Sequence, residues 1–423
     1  MVNYEVLVGD CRETLKTLPD ESVHCVVTSP PYFGLRDYGE DEQIGLEAAP
    51  DDFVQALVKV FREVRRVLRD DGTVWLNLGD SYAGSGKGRN GDGTSAASPT
   101  SKQATSRGTT EGVLTKTVSH GLKQKDLIGI PWRVAFALQA DGWYLRQDII
   151  WSKPNPMPES VKDRCTKSHE YVFLLTKSPK YFYDHEAVKE PATMKPQRRL
   201  VETHFGAKSV AGRTDNGGTL RTMSEAGRQY TTRNRRSVWT VTTKPFKGAH
   251  FATYPPDLID PCILAGTSNG GCCSECGAPY ARKSGRPCPQ CDALIPTQAN
   301  ECKACGFRNT GWLDEREDNA QTRAGEDNTV GPTVARKRMM TAQTVVSEEY
   351  LPTCDCDAEN TPCTVLDPFG GSGTTAGVAL KHGRKAILCE LNPEYAALVP
   401  RRIEHILGYN PEEHEKQRSL LDF

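Results

Sequence analysis

A polar and aromatic segment, Thr28-Ser29-Pro30-Pro31-Tyr32, follows a short apolar run that begins at Val23. The run reads as a buried strand, and the two prolines cannot extend it, because proline lacks an N–H and has a fixed φ. We therefore predict a rigid turn that presents the Ser29 hydroxyl, the Pro30 carbonyl and the Tyr32 ring together. Open α/β sheets bind ligands at such strand ends, so Ser29, Pro30, Pro31 and Tyr32 lie where a ligand would bind. Taken alone, these residues also fit a Pro-rich turn without a chemical role.

A second strand end, far downstream, leads into a Gly-rich turn and then a helix. Glycines let a backbone approach a ligand closely, and a helix N-terminus offers free N–H groups. The ending Gly-Lys-(Ser/Thr) is absent, so this turn is not a phosphate loop. The next strand ends in an acid, which suits a ribose diol. The candidate cofactor-binding residues are Asp367, Pro368, Phe369, Gly370, Gly371, Ser372, Gly373, Thr374, Thr375, Glu390, Leu391 and Asn392.

Together the two segments resemble the DNA amino-methyltransferases, whose catalytic motif is (Ser/Asn/Asp)-Pro-Pro-(Tyr/Phe). The stretch Asp-Pro-Phe-Gly-Gly-Ser-Gly-Thr-Thr resembles their motif for S-adenosylmethionine (SAM). The catalytic turn precedes the SAM turn, which is the permuted order of the family's β group. The resemblance covers residues 4–80, 125–185, 245–270 and 363–407. It implies an α/β fold with a Rossmann-like, doubly wound and mostly parallel sheet that contains one antiparallel strand. We expect the two turns to converge in space.

The resemblance also implies direct methyl transfer from SAM to an exocyclic amine of a base in DNA. Ser29 and the Pro30 carbonyl would accept the amine hydrogens, and Tyr32 would stack on a flipped base. Ser at the first motif position favours N4 of cytosine, and N6 of adenine is the alternative, since adenine enzymes mostly carry Asp or Asn there. A zinc-dependent DNA-binding adaptor with an inactive core is the alternative of another class. An RNA or protein amine methyltransferase is a further option.

The family places further residues beside the cofactor. Asp10 and Cys11 follow the first strand, in a segment that lies near the adenine of SAM in the family, although Asp10 equally fits a helix N-cap. Phe251 and Thr253 lie in a segment that packs beside SAM in the family. Cys262 follows a proline, and a Pro-Cys thiolate is the nucleophile in cytosine-C5 methylation. The Cys262 thiol lies in an apolar helix, however, so we predict that it is buried and inert.

Fifteen cysteines are present, and eight of them form close pairs. Neighbouring Cys-x-x-Cys knuckles indicate closed, structural zinc sites, two in this case, and favour metal over disulfides. The nested scheme joins the inner pairs in one ribbon site and the outer pairs in another, with Cys272 and Cys363 as spare ligands. A consecutive pairing remains open. The candidate ligands are Cys273, Cys276, Cys288, Cys291, Cys302, Cys305, Cys354 and Cys356.

The chain carries a formal net charge of −1, so its charge must be read locally. Residues 195–236 hold ten Lys or Arg against three acids, an electrostatic footprint for double-stranded DNA, although a solvated loop is the alternative. Gly, Ser and Thr make up 18 of the residues 81–112, which predicts a mobile loop that is either a passive linker or orders on DNA. The candidate DNA-binding residues are Arg198, Arg199, Arg213, Arg221, Arg228, Arg233, Arg235 and Arg236.

The 423 residues can bury a large core, with insertions in one main domain. No membrane span and no signal peptide are expected, which indicates the cytoplasm of a bacterial or phage-infected host cell. A cognate restriction endonuclease is a possible partner, and the chain would be a monomer or homodimer.

The predicted organisation is a catalytic half at 1–190 with a mobile loop at 81–125, a target-recognition region at 191–240, a SAM-binding half at 241–271 and 362–410, and a zinc-ribbon insertion at 272–361 with a flexible loop at 314–348.

Overall fold

The structure, a computed structural model, describes residues 3–34, 40, 43–83, 122–192, 232–244, 253–287, 291, 294–295, 303–306 and 345–408. Most of the predicted loop 81–125, most of the recognition region and all but the end of the loop 314–348 lie outside these residues. In chain order, the strands are β1 Tyr4–Val8, β2 Val23–Thr28, β3 Leu68–Leu78, β4 Tyr144–Ser152, β5 His169–Thr176, β6 Glu190–Pro191, β7 Thr232–Arg233, β8 Val238–Thr240, β9 Cys272–Cys273, β10 Ala281–Pro287, β11 Leu294–Ile295, β12 Val345–Leu351, β13 Asn360–Thr361, β14 Thr364–Asp367 and β15 Lys385–Glu390.

The main sheet has eight strands in the order β1-β15-β14-β2-β3-β5-β4-β8. Strand β5 runs antiparallel to both of its neighbours, and every other pair in this sheet is parallel. The predicted mostly parallel sheet with one antiparallel strand is therefore confirmed. Strand β2 is buried at every position, as a strand covered on both faces must be.

Helices cover both faces of the sheet, as in a doubly wound fold. On one face, the apolar stripe Phe53, Leu57, Phe61 and Val64 of one helix is fully buried. Three other helices, which begin at Pro256, Thr374 and Val399, cover the other face. In chain order, the helices are α1 Cys11–Thr14, α2 Pro50–Val67, α3 Ile130–Ala140, α4 Pro256–Gly266, α5 Thr374–Lys381, α6 Pro393–Ala396 and α7 Val399–Leu407, with a 3₁₀ turn at Leu15–Thr17. Among the described residues, none of these helices is both long and apolar enough to cross a membrane.

A smaller region extends from the sheet at residues 272–361. Strands β9 and β13 pair antiparallel and bring its first and last residues together, with Cys273 opposite Asn360. Strands β10, β11 and β12 form a separate three-stranded sheet. Arg282 of β10 and Tyr350 of β12 both donate to the buried carboxylate of Asp184, which anchors this sheet to the core.

Candidate functional site

The two motif turns lie side by side. Strands β2 and β14 are parallel neighbours, so the turn after Thr28 and the turn after Asp367 leave the same edge of the sheet. The Thr28 hydroxyl donates to Asp367 Oδ1 at 2.6 Å, across 339 positions of sequence. The structure thus brings together the two turns that the sequence predicted to converge.

Asp367 is buried beneath the Gly-rich turn, with 1% of its surface exposed. Its carboxylate accepts hydrogen bonds from Thr28, from Thr375 at 2.6 Å, from the Tyr254 hydroxyl at 2.8 Å and from the Phe369 N–H at 3.1 Å. Burial raises the pKa of Asp367, and these donors oppose that shift. A carboxylate has about four acceptor positions, and protein donors use all of them. The Asp367 side chain therefore shapes the turn, and its contact with a cofactor stays a prediction.

The Gly-rich turn is built around one acid of the next strand. The Gly371 N–H donates to Glu390 Oε2 at 2.7 Å, and the Asn392 N–H donates to Glu390 Oε1 at 2.9 Å. Each oxygen keeps a second lone pair for a ligand hydroxyl. Burial raises the pKa of Glu390. Gly371 has φ +52°, a conformation that favours glycine, and Gly373 has φ +89° with a would-be Cβ 2.8 Å from Val399, so a side chain at Gly373 would also clash.

Two predicted cofactor residues have hydroxyls that fit a ligand. Ser372 Oγ and Thr253 Oγ1 are buried and have no hydrogen-bond partner among the described residues. Buried polar atoms are nearly always paired, so these two orphans favour a bound polar molecule. The Gly-rich turn, Glu390 and these hydroxyls therefore fit SAM. Phe251 lies outside the described residues.

Two other predicted cofactor residues serve as helix caps. Asp10 accepts from the Arg12 N–H at 2.7 Å as the N-cap of α1, and its side chain also pairs with the Arg12 guanidinium. Asn392 caps α6 by accepting from the N–H groups of Glu394 and Tyr395. Of the two interpretations of Asp10, the structure thus shows the cap. Cys11 is buried, and burial raises the pKa of its thiol.

The Tyr32 hydroxyl is anchored by residues that the sequence analysis missed. It donates to Glu170 Oε2 at 2.7 Å and to Asn77 Oδ1 at 3.3 Å. Lys153 forms an ion pair with Glu170, and Asn77 Nδ2 donates to the Tyr171 carbonyl at 3.0 Å. Two signals in the sequence could have identified these residues. Asn77 is a polar side chain in the apolar run of β3, and Glu170 is an acid at the start of β5. The network fixes the direction of the Tyr32 ring.

Gly79 lies directly against the Tyr32 ring, and a Cβ at this position would meet Tyr32 Cε2 at 2.5 Å. We expect Gly79→Ala to lower methylation about a hundredfold, the order of loss for misplacing a reacting group by 1 Å. The ring cannot swing aside easily because its hydroxyl is anchored. Initial rates and SAM calorimetry would test this, with SAM affinity unchanged. The same substitution in a Tyr32→Ala background is the control, and it should have no further effect; an equal additional loss there would contradict the expectation.

The described arginines of the basic region have protein partners. Arg233 and Arg236 share one acceptor, Glu190 Oε1, at 2.8 and 2.7 Å. The Arg235 guanidinium lies 4.7 Å from the Trp239 ring centroid. One carboxylate neutralises only one of these two guanidinium groups, so the pair keeps a net positive charge. A contact of these arginines with DNA stays a prediction. The other five candidates, Arg198, Arg199, Arg213, Arg221 and Arg228, lie outside the described residues.

The cysteines divide into several groups. The outer pairs Cys273/Cys276 and Cys354/Cys356 come together in one cluster, as the nested scheme predicted. Cys291 and Cys305 are exposed, whereas Cys288 and Cys302 lie outside the described residues. Burial raises the pKa of the Cys262 thiol well above its ordinary value, in agreement with an inert cysteine.

This arrangement, a donor site and a catalytic turn on adjacent strands of a doubly wound sheet, defines the class of SAM-dependent methyltransferases. The family model of the N6/N4 type, described as DNA methylase, matches residues 23–274 and 359–400. The chain therefore belongs to this DNA methylase family. The unmatched gap, 275–358, falls within the region that β9 and β13 close.

Curated relatives include two Type II methyltransferases. M.Cfr9I of Citrobacter freundii is 51% identical over 262 residues, which cover 62% of this chain and 72% of the relative. M.SmaI of Serratia marcescens is 45% identical over 267 residues, 63% of this chain and 76% of the relative. Among solved structures, the cytosine-N4-specific PvuII DNA methyltransferase aligns with a TM-score of 0.46 and 15% identity, covering 96% of this chain and 94% of that chain. The TTHA0409 protein of Thermus thermophilus, solved with SAM, aligns with a TM-score of 0.42 and 18% identity, covering 96% of both chains.

Proposed function

We propose that this DNA methyltransferase methylates the exocyclic N4 of cytosine in a specific double-stranded sequence. The observation that carries the proposal is the hydrogen bond between Thr28 and Asp367, because it joins the catalytic turn to the donor turn. A methyl donor on one turn and an amine acceptor on the other would be neighbours. Direct attack then needs no covalent enzyme intermediate and no catalytic cysteine.

The exocyclic amine is a poor nucleophile, since its lone pair is delocalised into the base ring. Acceptors at Ser29 Oγ and the Pro30 carbonyl would bind the amine hydrogens and localise that lone pair. Tyr32, held by Glu170 and Asn77, would stack on the flipped base. Flipping costs a few kcal/mol, and stacking on an aromatic ring offsets about 1–3 kcal/mol of it.

Bound SAM would supply an electrophilic methyl group on its sulfonium. Glu390 would accept hydrogen bonds from the ribose hydroxyls, using the lone pairs that Gly371 and Asn392 leave open. The hydroxyls of Ser372 and Thr253 would find partners on the same molecule.

Ser29 at the first motif position supports cytosine over adenine, by resemblance to the family. A DNA target-recognition function for 191–240 is supported by its local positive charge. Similarity to bacterial Type II methyltransferases supports a cognate restriction endonuclease and a role in a bacterial cytoplasm. We also propose a zinc ribbon in the insertion, with one structural Zn²⁺ on Cys288, Cys291, Cys302 and Cys305.

Mass spectrometry of nucleosides from DNA treated in vitro tests the choice of base. We expect N4-methyldeoxycytidine to accumulate with SAM and to form about a hundredfold more slowly with a Ser29→Ala variant. N6-methyldeoxyadenosine as the product would overturn the cytosine assignment and leave the methyltransferase assignment intact. Methylation of RNA or protein in preference to DNA, in a substrate competition, would overturn the DNA assignment.

An inactive DNA-binding adaptor differs from an enzyme in its affinity for the cofactor. Isothermal titration calorimetry with SAM should show saturable binding at one site per chain. Failure to bind SAM, with DNA binding retained, would favour the adaptor.

A further inference from the structure

Four thiols form a cluster at the base of the insertion. The Sγ atoms of Cys273, Cys276, Cys354 and Cys356 all lie within 4.8 Å of one another. Two of them come from the beginning of the insertion and two from its end, about eighty positions later. In a tetrahedral Zn–thiolate site with bonds of about 2.3 Å, the sulfurs would be about 3.8 Å apart. The cluster therefore has nearly the dimensions of such a site before any ion is considered.

The backbone around the first pair has the form of a metal-binding knuckle. The Gly277 N–H donates to the Cys273 carbonyl at 2.9 Å, and Gly277 has φ +70°, a conformation that favours glycine. The N–H groups of Glu275 and Cys276 point at the Cys273 sulfur. Backbone donors of this kind stabilise a thiolate, which is the form that binds metal.

We infer that Cys273, Cys276, Cys354 and Cys356 bind one structural Zn²⁺ that closes the insertion at its base. Four soft sulfur ligands select Zn²⁺, and a complete set of protein ligands leaves no position open for catalysis. The inference goes beyond the methyl transfer proposed above and does not depend on it. The thirteen described cysteines form no disulfide, so these four thiols are available.

The cluster is attached to the edge of the main sheet that lies opposite the catalytic turn. Arg69, the second residue of β3, donates to the Cys276 carbonyl at 2.7 Å. His24, the second residue of β2, hydrogen-bonds the Gly277 carbonyl at 2.9 Å. The catalytic turn leaves the other end of β2, about 15–20 Å away for a strand of this length. The ion would therefore order the insertion without reaching the substrate.

A second group of potential ligands, His24, Cys272 and Cys363, does not compete for this assignment. His24 Nδ1 accepts from the Thr364 N–H at 3.1 Å, so both ring nitrogens already have backbone partners. Cys272 donates to the Thr361 carbonyl at 3.3 Å. A metal ion here would have to break these bonds, so we assign the group to packing.

Metal analysis of the full-length protein tests the inference. After dialysis against EDTA, inductively coupled plasma mass spectrometry should find one Zn²⁺ fewer per chain in Cys354→Ser and in Cys356→Ser than in the wild type. Cys165→Ser, at an exposed cysteine outside the cluster, is the matched control and should keep the wild-type content. Cys363→Ser should also keep it. SAM affinity of the soluble Cys354→Ser protein should remain within about twofold of wild type, since the cluster lies far from the Gly-rich turn.

Co²⁺ substitution provides a second readout. The sulfur-to-cobalt charge-transfer bands and the visible bands of a tetrahedral ion should be weaker by one site per chain in Cys354→Ser than in the wild type and in Cys165→Ser, and this difference separates the cluster from the zinc site proposed on the inner cysteine pairs. Equal zinc content in Cys354→Ser, Cys165→Ser and wild type would overturn the inference, and so would loss of one equivalent in Cys363→Ser. Neither result would bear on the methyltransferase assignment, which is tested by the modified nucleoside.

Discussion

Ser29→Ala should lower the rate of DNA methylation by about a hundredfold or more, and Tyr32→Ala by about 5- to 150-fold, while SAM still binds. Removing one preorganised polar group at a reacting centre typically costs 10²–10³ in rate, and losing the stacking ring costs about 1–3 kcal/mol per base. SAM affinity should persist because neither side chain belongs to the Gly-rich turn. Initial rates on duplex DNA, together with calorimetry for SAM, measure both effects.

Tyr144→Ala is the matched control, because Tyr144 is exposed on β4 and lies outside the Tyr32 network. It should retain wild-type rates. Tyr32→Phe should fall between the wild type and Tyr32→Ala, since it keeps the ring and loses the bonds to Glu170 and Asn77. Full activity in both Tyr32→Ala and Ser29→Ala would reject the assigned roles.

Asp367→Ala should lower the free energy of unfolding by about 3 kcal/mol or more. The substitution leaves the hydroxyls of Thr28, Thr375 and Tyr254 buried without their shared acceptor, and each hydrogen bond to a charged group contributes about 1.5–3 kcal/mol. The hydrogen bond from Thr28 to Asp367, which joins the catalytic turn to the Gly-rich turn, would also be lost. We therefore expect the affinity for SAM to decrease together with the free energy of unfolding. Urea denaturation followed by circular dichroism measures the first effect, and calorimetry measures the second.

A surface aspartate provides the comparison. Asp257→Ala removes an exposed carboxylate that pairs with Lys244, and exposed ion pairs are worth at most about 1 kcal/mol. Its unfolding midpoint should stay close to that of the wild type. If Asp367→Ala unfolds at the same urea concentration as Asp257→Ala, the carboxylate does not hold the two turns together.

The main sheet was largely predictable, because the sequence of a buried parallel strand is an apolar run between turn residues. Helix α2 and the antiparallel strand β5 lie where periodicity and continuous hydrophobicity placed them. The sequence Asp70-Asp71-Gly72 predicts the end of the helix that starts near Asp52, but in the structure these residues lie within strand β3, which starts directly after α2. The sequence likewise predicts one helix at 393–407, where the structure has two, α6 and α7, separated at 397–398.

The candidate site was predictable in its position and less so in the part each side chain plays. Motif residues such as Asp367 and Asn392 were identified from their type, but type does not reveal whether an oxygen faces a ligand or a backbone N–H. Asp10 shows the same ambiguity, since a carboxylate oxygen accepts hydrogen bonds both when it caps a helix and when it binds a ligand. Glu170 was missed because its partner, Tyr32, is 138 positions away and only the fold brings the two together. Lys153 was missed with it, because its ion-pair partner is Glu170.

The short ladder between β9 and β13 has a consequence for how this chain could have acquired its extra region. Because Cys272 lies opposite Thr361, the main chain leaves the sheet and returns to it at practically one point. Anything inserted between those strands adds a loop whose closure entropy grows only with the logarithm of its length. Segments of very different length can therefore lie between these two strands at a small entropic cost, as long as Arg282 and Tyr350 remain to pair with the buried Asp184.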